Sequence, residues 1–151
     1  MLSFLFKKRE KEDSSIQKFQ DEHQDLLNSF NNILELANSS KFQELEVKIS
    51  NFIDIFMEHI KKEADEIYEF LERNLDPHKD YLLLNEIQTI KKDMVPIRKK
   101  VNILTLKYRS LNKDNIKNFI DDFSYLGGVL IKRIDIEENK LFKYYSKKKK
   151  R

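Results

Sequence analysis

Residues 59–68 read HIKKEADEIY and residues 133–142 read RIDIEENKLF. The two stretches align without a gap, so Arg133 stands opposite His59 and Glu137 opposite Glu63. Each pair is spaced i, i+4, which puts both side chains on one face of an α-helix. In both stretches that face is the apolar one. Around the second, apolar residues step by three and four through Ile116, Phe119, Phe123, Leu126 and Leu130, then positions 133 and 137, then Leu141 and Tyr144. That step is the helical period. Charged groups a turn apart at core positions are costly unless something pairs with them.

The same period fills the rest of the chain. One stripe runs Ile16, Phe19, His23, Leu26, Phe30, Ile33, Ala37. The next runs Phe42, Leu45, Ile49, Phe52, Phe56, His59, Glu63, Ile67, Phe70. A third runs Leu83, Ile87, Ile90, Met94, Ile97, Val101, Leu104, Tyr108. The turn signals NSSK (38–41), NLDPHKD (74–80) and LNKDN (111–115) divide the stripes. The spacing predicts helices over 14–38, 41–74, 80–110 and 114–146, with Ser14 or Ser15 and Asp114 as N-caps. No segment alternates with the period of a strand. Short connections stack neighbouring helices antiparallel, so the expected fold is all-α, an antiparallel up-down-up-down four-helix bundle. Residues 1–13 read as an N-terminal arm, 14–146 as the bundle and 147–151 as a basic tail.

Composition narrows the function. The 151 residues, 40% hydrophobic and 36% charged, suit one globular domain. Two glycines and two prolines leave few breaks in long helices. There is no cysteine, which excludes disulfides, zinc–thiolate sites, iron–sulfur clusters and cysteine catalysis. No apolar run approaches the roughly 20 residues that span a membrane, so no stable insertion is expected. In MLSFLFKKRE (1–10) the basic residues follow the apolar ones, the reverse of a signal peptide. A cytoplasmic location follows as the expectation. Five of the positive charges lie in KKKKR (147–151), so the net charge of +3 becomes −2 without that tail. A nucleic-acid partner is therefore not expected.

The polar residues that interrupt the stripes are His23, His59, Glu63, Arg133 and Glu137. Antiparallel stacking brings them, with Met94, to one layer. This pattern resembles the hemerythrin-like (HHE cation-binding) domain. The residues that carry the resemblance are DEHQDLL (21–27), HIKKE (59–63) and RIDIE (133–137), and it spans 14–145. EHQDLLNSF (22–30) also aligns with DMVPIRKKV (93–101), as two pseudo-symmetric halves would. In that family the helices supply His, His-x-x-x-Glu, His and His-x-x-x-Glu to a non-heme di-iron centre.

Carried over by position, the resemblance implies His23, His59, Glu63 and Glu137 as metal ligands. Met94 and Arg133 stand where two further histidines are expected, both in the same half. The implied protein is a non-enzymatic iron-binding sensor or carrier with one ion rather than two. Two nitrogens and two carboxylates also suit zinc or manganese. Arg133 is then expected to replace the second cation by bridging two carboxylates. A small diatomic ligand is the further partner implied. Reversible oxygen binding of the two-iron kind is not expected, and the sequence specifies no protein partner.

Two other readings stay open. One is a metal-free interaction module in which Arg133 is salt-bridged to Glu63 and Glu137. The other is a small non-heme metalloenzyme acting on peroxide, nitric oxide or iron. Glu22, Glu58, Asp93 and Glu138 flank the stripes and could orient ligands from behind. His78 lies in a loop and reads as solvated. Pro96 should interrupt its helix, and Gly127–Gly128 should allow close approach or make room for an aromatic ring.

Overall fold

A computed structural model describes residues 14–150; the N-terminal arm and Arg151 lie outside the described residues. The helices are α1 (Ser14–Ala37), α2 (Phe42–Glu63), α3 (Glu69–Asn74), α4 (Tyr81–Lys92), α5 (Met94–Lys107), α6 (Ile116–Ile136) and α7 (Phe142–Lys149). A π turn, Ala64–Tyr68, joins α2 to α3, and a second, Glu137–Leu141, joins α6 to α7. Residues flanking both π turns keep right-handed helical angles, so each joined set is one rod. Four helical segments result, and no strand occurs among the described residues.

The third segment breaks at Asp93, between α4 and α5. Pro96 accounts for this, because it has no N–H and its ring crowds the carbonyl four residues back. The fourth begins at Ile116, two residues later than expected. Asn115, not Asp114, precedes α6. Asn112 ties the turn instead, its Oδ1 accepting the N–H groups of Asp114 and Asn115 at 2.8 and 3.1 Å. At the other end α7 continues through Lys149, into the stretch expected to be tail.

The stripes enter the core as their period requires, until the π turns. Beyond them, Leu71 and Tyr145 are buried where Phe70 and Tyr144 were expected; the latter two are only partly covered. A π turn takes one more residue than an α turn. The inward face therefore advances by one position, and Tyr68 and Phe142 join Ile67 and Leu141 inside.

Two apolar clusters hold the segments together. One contains Phe30 and Ile33 of α1, Leu45 and Phe52 of α2, Val101 and Leu104 of α5, and Phe119 and Phe123 of α6. The other contains Ile16 and Phe19, Ile67 and Leu71, Ile87 and Ile90, and Leu141 and Phe142. Each cluster thus takes the opposite end of every segment from the other. α1 packs on α2 and α6, α5 on α6, and α3 on α7. A Cβ on Gly127 would overlap the ring of Phe30, which stacks on Phe123 at 4.3 Å. Gly127 is the residue that makes room for an aromatic neighbour. Gly128 faces open space.

Candidate metal centre

Between the clusters, in sequence and in space, lies a buried polar layer. His23 comes from α1, His59 and Glu63 from α2, and Arg133 and Glu137 from the α6 rod. All five are 5% exposed or less, and they line one small cavity of about 20 Å³ together with Met94. That is about the space one water-sized particle needs. His23, His59, Glu63 and Glu137 each offer a ligand atom within 4.8 Å of the others, so the four could hold a metal ion.

The cavity-facing atoms are close but not satisfied. His23 Nε2 lies 3.4 Å from Glu63 Oε2 and 3.0 Å from Glu137 Oε1. His59 Nε2 lies 3.2 Å from the same Glu63 oxygen. Even so, His23 Nε2, His59 Nε2 and Glu63 Oε2 are buried without a hydrogen-bond partner. Buried polar atoms are normally paired, and each orphan carries a desolvation cost. Three orphans around one cavity are what an ion's ligands look like without the ion.

The outer nitrogens are well held. His23 Nδ1 is 2.7 Å from Glu138 Oε2, and His59 Nδ1 is 2.8 Å from Glu22 Oε1. When each Nδ1 carries a proton and donates it to its carboxylate, Nε2 presents a lone pair to the cavity. This is the histidine–carboxylate support found behind metal-ligating imidazoles. Glu22 and Glu138 thus act where flank residues were expected to. Glu58 and Asp93 do not, since both are exposed and Glu58 pairs with Lys62 on the surface. The second π turn lets adjacent residues, Glu137 and Glu138, both reach His23. Phe142 stacks on the His23 ring at 5.6 Å, and Phe19 meets His59 edge-on at 5.7 Å.

Arg133 does not bridge two carboxylates. Among the carboxylates of the described residues it reaches only Glu137, donating from Nε to Oε2 at 3.0 Å. Its Nη1 donates to the Ile90 carbonyl at 2.5 Å and its Nη2 to the Tyr68 hydroxyl at 2.6 Å. The expected contact with Glu63 is therefore corrected. Ile90 offers its carbonyl just before the Asp93 break, and the first π turn swings Tyr68 inward, so these two acceptors take the donors meant for Glu63. Sequence reading missed both partners. A main-chain carbonyl has no sequence signal, and position 68 falls off a regular helical stripe. His78 sits exposed in its loop, its backbone N–H donating to Asp76 at 2.8 Å.

The electrostatics of the metal-free cluster follow from this crowding. Burial disfavours charge on His23, but the surrounding carboxylates of Glu137, Glu138 and Glu63 outweigh it and raise its pKa well above the ordinary value. Burial likewise opposes charge on His59, yet the Glu63 charge and Glu22 raise its pKa to about 9. Burial works against ionised Glu63 as well, but the charge on His59 and contacts with both imidazoles hold its carboxyl well below the usual range. Burial, then the charge on Glu63, pushes the Glu137 carboxyl upward against the pull of His23 and Arg133. Burial keeps the Tyr68 phenol neutral.

No family model, no curated protein and no solved structure matches the chain. No helix among the described residues is long and apolar enough to cross a membrane.

Proposed function

We propose that the chain is an antiparallel up-down-up-down four-helix bundle of hemerythrin type that binds one divalent metal ion, iron, through His23, His59, Glu63 and Glu137. The topology is supported by the two apolar clusters, each of which gathers alternate ends of successive segments. The metal reading rests on one observation, the three unpartnered buried atoms His23 Nε2, His59 Nε2 and Glu63 Oε2. Their donor set is two imidazole nitrogens with carboxylate oxygens, which suits ferrous iron, and zinc or manganese as well. Bound there, the metal supplies a Lewis-acidic, and for iron a redox-active, centre. Met94 fills space on one side, as thioether sulfur is a poor partner for iron. The role that fits is a non-enzymatic cytoplasmic iron or redox sensor or carrier.

Arg133 argues for one ion rather than two. Its three anchored nitrogens fix a permanent cation beside Glu137. The metal-free module is less well supported, because Arg133 leaves Glu63 Oε2 without a partner. Anaerobic calorimetric titration of chelator-stripped protein with ferrous iron tests the reading. One site that His59→Ala and Glu63→Gln both abolish is expected. No heat of binding with iron, zinc or manganese would leave the metal-free module.

A further inference from the structure

The third segment carries a feature the metal centre does not use. Residues 94–110 contain Arg98, Lys99, Lys100, Lys107 and Arg109 and no acidic residue. Removing these five charges and the five of Lys147–Arg151 from the net charge of +3 leaves −7 on all other residues. The α5 region is a basic island on an acidic body.

α5 is also apolar on two sides. Met94, Ile97, Val101 and Leu104 enter the core. Val95, Ile103 and Leu106 remain 41, 63 and 60% exposed. At 100° per residue these three and Lys99 cluster on the side opposite the core residues. Tyr125 of α6, itself exposed, adds its ring beside them, with Lys100 Nζ 4.6 Å from the ring centroid. Arg98, Lys99 and Arg109 make no ion pair among the described residues, so their charges are free to face a partner.

We propose that this face of α5 docks peripherally on an anionic lipid surface. Val95, Ile103 and Leu106 seat at the acyl boundary, while Arg98, Lys99 and Lys100 meet the headgroups. Aliphatic side chains flanked by lysine and arginine are the pattern of an interfacial helix. These three aliphatic side chains are exposed on the side of α5 opposite its core residues, so a flat bilayer can meet them together. An acidic helix would need the groove beside it, lined by Ile103, Lys107, Asp122 and Tyr125, where Lys107 is already paired with Asp122 at 3.1 Å. The docking is independent of the metal reading.

The test is cosedimentation of the full chain with vesicles of phosphatidylcholine alone or mixed with phosphatidylglycerol. Binding to the anionic vesicles should exceed binding to the neutral ones roughly tenfold or more. Ile103→Ser with Leu106→Ser keeps every charge, including the basic tail, and should weaken anionic-vesicle binding by roughly tenfold without changing the melting temperature. Leu106→Trp, in a chain that has no tryptophan, should shift its emission to the blue only with anionic vesicles. Equal binding to both vesicle types overturns the proposal. So does a double-serine variant that binds as well as wild type, which would assign the contact to the tail. A chain that ignores vesicles yet binds an amphipathic Leu/Glu peptide would assign the face to an acidic protein instead.

Discussion

Arg133 and Glu137 form a buried ion pair, Nε to Oε2 at 3.0 Å, that leaves the other oxygen of Glu137 facing His23 Nε2 at 3.0 Å. Glu137 is thereby divided between a permanent cation and the cavity. Arg133→Met should destabilise the protein by about 3–5 kcal/mol, because Glu137 keeps its burial and loses its partner. Arg133→Lys should recover only part of this, since one ammonium cannot serve Glu137, Ile90 and Tyr68 together. Urea denaturation of the chelator-treated proteins measures both. A neutral Arg133→Met would show that the pair has no structural role.

Glu22 and Glu138 should matter to metal binding without touching the metal. Each holds an imidazole from behind at 2.8 and 2.7 Å. Glu22→Gln and Glu138→Gln should each lower metal affinity by about 10–100-fold. Glu58→Gln, at an exposed surface pair, should leave affinity unchanged. Competition against a chromogenic chelator reads all three.

The metal-free protein should lose stability as pH rises. The folded pKa of His59, about 9, lies above its ordinary value of 6.5. Folding thus favours the protonated form, and that contribution is complete below pH 6.5 and lost as pH rises through about 9. At 1.36 kcal/mol per pH unit it is on the order of 3 kcal/mol. His23 is shifted the same way. Metal binding must displace these protons, so the metal-loaded protein should hold its stability level over the same window. Thermal melts from pH 6 to 10, with and without metal, would show the two slopes. Parallel slopes would contradict the site.

The two adjacent glycines should respond oppositely to alanine. Gly128→Ala places a methyl in open space on a helix and should stabilise by about 0.5–1 kcal/mol. Gly127→Ala drives a methyl into the Phe30 ring and should cost about 1–3 kcal/mol. Melting of the two single variants decides it.

What the sequence made legible was whatever is periodic. His23, His59, Glu63, Arg133 and Glu137 share one layer because each continues an apolar stripe by steps of three or four. Glu22 and Glu138 could be placed beside that layer, but which imidazole each holds needed the tertiary packing. The stripe failed just past Glu63 and Glu137, where Leu71 and Tyr145 replaced Phe70 and Tyr144. An extra residue in a π turn has no compositional mark, and both π turns occur where the polar layer sits in the rods. The partners of Arg133 were illegible for related reasons. Tyr68 is brought inward by the first π turn, and the Ile90 carbonyl is main chain.

One ion per chain, with Arg133 in the place of a second, is the proposed arrangement from which the other metal predictions follow. Its most direct measurement is the metal content, by mass spectrometry, of protein purified without chelator or metal-affinity resin, for the wild type and for Met94→His with Arg133→His. About one iron, zinc or manganese per wild-type chain is expected, with a rise toward two in the double variant. Two ions in the wild type, or trace metal that His59→Ala does not change, would contradict it.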